Sequence, residues 1–234
     1  MKRNQPISPV RVSAAVLAVA VSGLVAPGAR ADPDAPSVRV DLGQIKLVRG
    51  AGPDVATWIA TQPTPAPDGS GGGGVGWFSQ DASAGGLTLH YGALDASSYR
   101  TGSPNAGHGG GVNRGTVWSP AYRVTSTGGS CAVSFDDSYG LDPAYPLPDA
   151  PRMSFSYSFD GASWAPPMPI AKVGASQPWT TFSAQIACAG QARLWLKWTF
   201  DTVHGDFNQG RGWNLRNLRL SGVAPPPVAR GAVF

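Results

Sequence analysis

Leu194-Trp195-Leu196-Lys197-Trp198-Thr199-Phe200, preceded by Arg193, places a large apolar side chain at every second position. Side chains two residues apart share one face of a strand, so Leu194, Leu196, Trp198 and Phe200 line a buried face. Arg193, Trp195, Lys197 and Thr199 then line the opposite one. A slip of one residue would bury two cations, which pins the register. Met153, Phe155, Tyr157 and Phe159 alternate with Ser154, Ser156 and Ser158 in the same way, and Asp160-Gly161 then signals a hairpin turn. Leu87, Leu89 and Tyr91 alternate with Thr88 and His90. Shorter strands are expected over 37–41, 116–124, 132–136, 180–187 and 213–220. No window after residue 31 sustains an amphipathic helical period. Roughly eight or nine strands at such spacings predict an all-β, two-sheet antiparallel β-sandwich of the jelly-roll kind.

The flanks differ in composition. Lys2, Arg3 and Arg11 precede an apolar run over 12–26, followed by Pro27 and the small-residue site Ala29-Arg30-Ala31. That order predicts a signal peptide over 1–31, cleaved before Asp32, and a secreted or periplasmic protein. The apolar run falls short of the roughly 18 to 20 residues that cross a bilayer, so no integral membrane segment is expected after cleavage. Residues 32–74 read as a lead-in and a Gly/Pro-rich linker with one or two strands, 75–223 as the sandwich, and 224–234 as a Pro-rich tail.

The formal charge of +4 invites a nucleic-acid reading. Four of the cations, Lys2, Arg3, Arg11 and Arg30, leave with the signal, and the remainder balances the 14 acids. No net charge is left to draw in phosphate, so nucleic acid is not an expected partner. Cys131 and Cys188 are the only cysteines. In an oxidising compartment their pairing would stabilise the fold by roughly 4 kcal/mol in the chain-entropy model, the alternative being two separate buried thiols.

Catalytic signatures are sparse. There is no Glu at all, so a paired-carboxylate glycosidase would rest on Asp. Asp136 and Asp137 are the one adjacent pair, and neighbours on a strand point to opposite faces; both are expected as solvated turn or strand-end carboxylates. His90, His108 and His204 are expected in exposed strand or loop positions, without a Gly-x-Ser-x-Gly elbow. No cofactor or metal is expected. Trp195 should point away from the core, flanked by Arg193 and Lys197, where a flat indole beside cations stacks on a sugar ring or anchors a protein. The alternative packs it beneath the N-terminal segment or the tail. Asp201, His204, Asp206, Asn208 and Arg211 form a dense polar set in the 201–211 loop, completing the expected ligand-binding residues. The expected function is a non-catalytic binding module for a glycan or a cell-surface or envelope component. The alternatives are an enzyme acting on polysaccharide or ester through Asp and His, and a structural envelope component.

One family is suggested by a run of segments. Leu194 to Thr202, a polar loop, then Gly212-Trp213-Asn214-Leu215-Arg216-Asn217-Leu218-Arg219-Leu220 resemble the closing strands of MAM-like jelly-roll domains on secreted bacterial metallopeptidases of the immune inhibitor A kind. His90-Tyr91-Gly92, Gly115-Thr116-Val117-Trp118-Ser119-Pro120, the hairpin at Asp160-Gly161 and the 186–190 loop fit in the same order, so the resemblance spans about 75 to 222. It implies a MAM-like or galactose-binding-like sandwich. The family's calcium site does not carry over, because Arg216 and Asn217 stand where such domains carry an Asp pair, and calcium takes several carboxylates.

Overall fold

The structure is a computed structural model that describes residues 37–64, 74–82, 86–93, 112–141, 152–171, 176–203 and 210–226. The signal segment and much of the 201–211 loop lie outside those residues. Among the described residues there is no helix, hence none long and apolar enough to cross a membrane. Strands follow one another as β1 Ser37–Val40, β2 Leu47–Arg49, β3 Trp58–Ala60, β4 Val75–Ala82, β5 Gly86–Ala93, β6 Arg114–Trp118 and β7 Tyr122–Val124. Then come β8 Ser130–Gly140, β9 Arg152–Ser158, β10 Met168–Pro169, β11 Ser176–Ala187, β12 Arg193–Asp201, β13 Gly212–Ser221 and β14 Val223–Ala224.

Two sheets result. The first runs β11-β8-β13-β5-β4, with β1 beside the other half of β13; the second runs β10-β9-β12-β6-β3-β2. Pairing is antiparallel except between β2 and β3. The chain alternates between sheets from β5 to β13, which is the winding of a jelly roll. At the start of β13, Gly212 has φ 95°, and a Cβ there would strike the carbonyl of Tyr91, so only glycine lets β13 lie against β5.

The core fills the space between the sheets as the alternation predicts. Leu194, Leu196, Trp198 and Phe200 are fully buried, as are Met153 and Phe155. Phe135 of the first sheet meets Phe155 and Trp198 of the second at 5.7 and 5.6 Å between ring centres. Tyr157 on β9 and Phe159 just after it are only partly buried, their rings 5.5 Å apart edge to face. Cys131 and Cys188 are bonded and buried, tying the start of β8 to the end of β11.

The lead-in is more than a linker. β1 pairs with β13, β3 with β6, and Leu42, Trp58, Ile59 and Ala60 are buried. The sandwich therefore takes in β1, β2 and β3 as well. The segment 51–57 crosses the outer face of the second sheet, where the Val55 carbonyl accepts the Ala121 amide. The hairpin after β9 covers the rest: Ser156 Oγ donates to the Ala165 carbonyl at 2.7 Å and Ser158 Oγ to the Ser163 carbonyl at 2.6 Å. Asp160 braces that hairpin, accepting the amides of Ser163 and Ala162, which hold its carboxyl well below the usual range. Most of the outer face of the second sheet is thus covered, Arg193 remaining exposed. Much of the first sheet's outer face stays open.

Candidate functional site

The expected site around Trp195 is not an open platform. Trp195 is 6% exposed, its Nε1 donates to the Asp54 carbonyl at 3.1 Å, and Gly161 lies against its ring. The expectation of an exposed indole is therefore corrected, and its alternative holds: the N-terminal segment packs over it. Lys197 sits with its Nζ 4.3 Å above the Trp164 ring, and burial, with the charge of Arg114, lowers its pKa. Arg193 and Asp201 stand at opposite ends of β12, roughly 26 Å apart at strand rise. Asp201 pairs with Arg114 at 3.8 Å, and Arg211 is exposed just before β13. His204, Asp206 and Asn208 lie outside the described residues. The described members of the expected set do not converge.

Two other expectations change with the environment. His90 is buried rather than exposed, and its Nδ1 lies 2.9 Å from Asn214 Oδ1 on the neighbouring strand. Asp136 and Asp137 are mid-strand, not strand-end, because β8 continues to Gly140. They do point to opposite faces, so they cannot act as a pair on one substrate.

Asp137 faces inward between Phe135 and Tyr139 and is 1% exposed. Trp213 Nε1 donates to its Oδ2 at 3.4 Å and Thr180 Oγ1 to its Oδ1 at 3.3 Å. Burial raises its pKa above the ordinary 3.8, outweighing those two donors. A raised folded pKa means that the folded state binds the proton more tightly than the unfolded state. This group's contribution to stability is then full below pH 3.8 and is lost as pH rises through the folded value. Asp137→Asn keeps an acceptor for Trp213 and removes the charge. Urea unfolding of the variant is expected to show a gain in stability at pH 7 that vanishes near pH 3; an equal difference at both pH values would refute this account.

The open outer face of the first sheet carries a cluster of polar side chains and one aromatic ring. The pairing shifts between Gln177 and Thr180 on β11, a bulge that precedes the regular register from Thr180 onward. Trp179, in that bulge, lies across the sheet face with the Arg216 guanidinium 3.9 Å from its ring centre. A second bulge on β13 holds Asn217 at φ 53°. Asn is one of the few residues that enter this left-handed region readily, and the bulge aims its amide at Asp136. Asn217 Nδ2 donates to Asp136 Oδ2 at 2.7 Å, Thr181 Oγ1 donates to Oδ1 at 2.8 Å, and Arg216 Nε lies 3.8 Å away. Burial works against ionisation of Asp136, but those donors and the fields of Arg219 and Arg216 outweigh it and hold its pKa below the usual range. The carboxylate stays charged and fixed in direction.

Farther along the same face is a groove of about 260 Å³, floored by Ala132, Ser134 and Ser183 and edged by Ser37, Gln185, Arg219 and Ser221. Register places these on one surface: Ser134 is opposite both Ser183 and Arg219, and Ser221 is opposite Ser37. The surface offers one aromatic ring, one fixed carboxylate, guanidinium groups and a row of hydroxyls. It is equipped to stack and to hydrogen-bond.

No family model matches the chain, and no curated protein matches it. Among solved structures it is similar to the K1 cleaved adhesin domain of Lys-gingipain from Porphyromonas gingivalis W83, at 10% identity and TM-score 0.44, over 80% of this chain and 98% of that one. The C-terminal CBM6 module of a laminarinase from Zobellia galactanivorans aligns at 13% identity and TM-score 0.41, over 80% and 99%. A family 35 carbohydrate-binding module from Clostridium thermocellum aligns at 15% identity and TM-score 0.37, over 80% and 98%. A MAM-like domain is not shown by these comparisons. The all-β, two-sheet sandwich rests on the strand pairing itself.

Proposed function

We propose that the chain is an exported, non-catalytic β-sandwich module that binds a glycan on the outer face of its first sheet. The observation that carries this reading is the Trp179 ring against Arg216, itself 3.8 Å from the fixed carboxylate of Asp136, on the sheet that also carries the groove edged by serine hydroxyls. Sugar rings present apolar faces and rims of hydroxyls. An indole meets the first, while carboxylate, amide and hydroxyl groups meet the second. The Cys131–Cys188 bond supports export, since such bonds persist in oxidising compartments, as does the signal-like segment 1–31. The segment order over 75–222 supports a MAM-like variant of the sandwich.

The test is binding of the chain lacking residues 1–31 to a panel of soluble polysaccharides by affinity electrophoresis and calorimetry. Trp179→Ala is expected to weaken the bound member about thirtyfold, since an aromatic hot spot carries about 2 kcal/mol or more. The thermal midpoint should barely move, because Trp179 is outside the core. Undiminished binding by Trp179→Ala would remove the face from consideration, and retention of no polysaccharide would remove the glycan reading itself.

A further inference from the structure

Arg39 and Arg219 are direct cross-strand partners on the open face, and both are exposed. Like charges placed opposite each other on one face of an antiparallel pair oppose folding. A sequence free to choose would put a carboxylate at one of the two positions. Neither guanidinium forms an ion pair among the described residues. Asp136 is shared: it is bound by Asn217 and Thr181, lies 3.8 Å from Arg216, and interacts with the fields of Arg219 and Arg216 without a close ion pair to Arg219. Asp136 therefore answers to two guanidinium groups, Arg216 and Arg219, and Arg39 has no ion pair of its own among the described residues. No acidic side chain lines the groove itself, whose polar edge is hydroxyl, amide and Arg219.

We propose that the glycan taken by this face is anionic, its oxyanion seated between Arg39 and Arg219 at the groove. This rests on the reading of the face as a glycan site and names the class of chain that fits it. A guanidinium presents a planar fork of N–H donors that matches a carboxylate or sulfate through two parallel hydrogen bonds. Two forks side by side hold one oxyanion more selectively than two ammonium groups would. The serine hydroxyls beside them meet the neutral part of the sugar. The chain after residue 31 is balanced in charge, so the attraction is local to this face rather than a property of the whole surface.

Matched polymers separate the two proposals. The chain lacking residues 1–31 is titrated with polygalacturonate, alginate and hyaluronate, each beside its carboxyl-reduced neutral form, and with dextran sulfate, neutral dextran and polyaspartate. The expected result is binding of at least one carboxylated or sulfated chain, at least tenfold tighter than its neutral counterpart and weakened by added salt. The double variant Arg39→Gln/Arg219→Gln should abolish that preference while its thermal midpoint holds or rises, since a repulsion is relieved. Preference for a uronate chain assigns a carboxylate, and preference for dextran sulfate assigns a sulfate. Equal binding of neutral and charged forms overturns the anionic class and leaves the glycan reading standing. Polyaspartate bound as tightly as the best glycan overturns it as mere ion exchange, and so does a preference that survives in the double variant. No binding to any polymer takes down both proposals.

Discussion

Replacing Trp198 by Ala is expected to cost the domain about 3 to 5 kcal/mol of unfolding free energy. Trp198 is fully buried at the centre of the sandwich. Its ring stacks on Trp58 at 5.9 Å, meets Phe155 at 5.5 Å, and meets Phe135 of the opposite sheet edge-on at 5.6 Å. Truncation forfeits the burial and leaves a void between two sheets that cannot close without shifting both. Against a total of about 5 to 15 kcal/mol, that loss leaves little margin. Trp198→Phe should cost far less, because the indole Nε1 finds no hydrogen-bond partner among the described residues and its removal frees the core of an unpaired donor. Trp195→Ala, three residues earlier on the other face, should also cost less than Trp198→Ala, since its cover is a surface segment that can settle. Urea titration of the three variants, with slopes compared, checks the ranking. If Trp195→Ala proved the most damaging, the position of the core would be wrong.

The pattern that makes Trp198 predictable is local. Alternation over 193–200 and 152–158 reports which side of a strand faces apolar surroundings, and it needs no knowledge of the partner strands. What covers the other side is not local. Trp195 alternates onto the outer face as expected, yet is buried because the Asp54 carbonyl, 141 residues away in the chain, reaches its indole. β3 escapes the pattern for a related reason: Trp58, Ile59 and Ala60 are all buried, so no alternation marks them. Asp137 was within reach of sequence reading, since Cys131, Val133 and Phe135 set a phase that continues inward through Asp137 to Tyr139. Ending the expected strand at 136 hid it. The open face of the first sheet was the hardest part to foresee. Arg39, Asp136, Trp179 and Arg219 come from four strands spread over most of the chain, and two bulges decide how Trp179 and Asn217 are aimed. Bulges shift phase without leaving a composition signal.

A covalent link lies at one end of that face, and breaking it is expected to have the second large effect. The Cys131–Cys188 bond spans a sequence separation of 57, and the loop that it closes carries β9, β10 and β11 from the second sheet back to the first. Restricting the unfolded chain over such a loop stabilises the fold by about 4 kcal/mol in the chain-entropy model. For a domain of this size the double variant Cys131→Ala/Cys188→Ala should melt roughly 8 to 16 °C lower. The loss should not be uniform. β11 is an edge strand, held on one side by β8 alone, and the bond sits beside the Ile186–Cys131 pair where that edge is anchored. Hydrogen exchange in the variant is therefore expected to rise first along Ser176–Ala187, while β12 and β13 keep their protection. Trp179, Ser183 and Gln185 ride on that strand, so the glycan binding proposed for this face should weaken at temperatures where the core is still folded. A variant that melts lower with β11 as protected as the centre of the sheet would show that the bond acts on the unfolded chain only, and that the face is held by its pairing to β8 without covalent help.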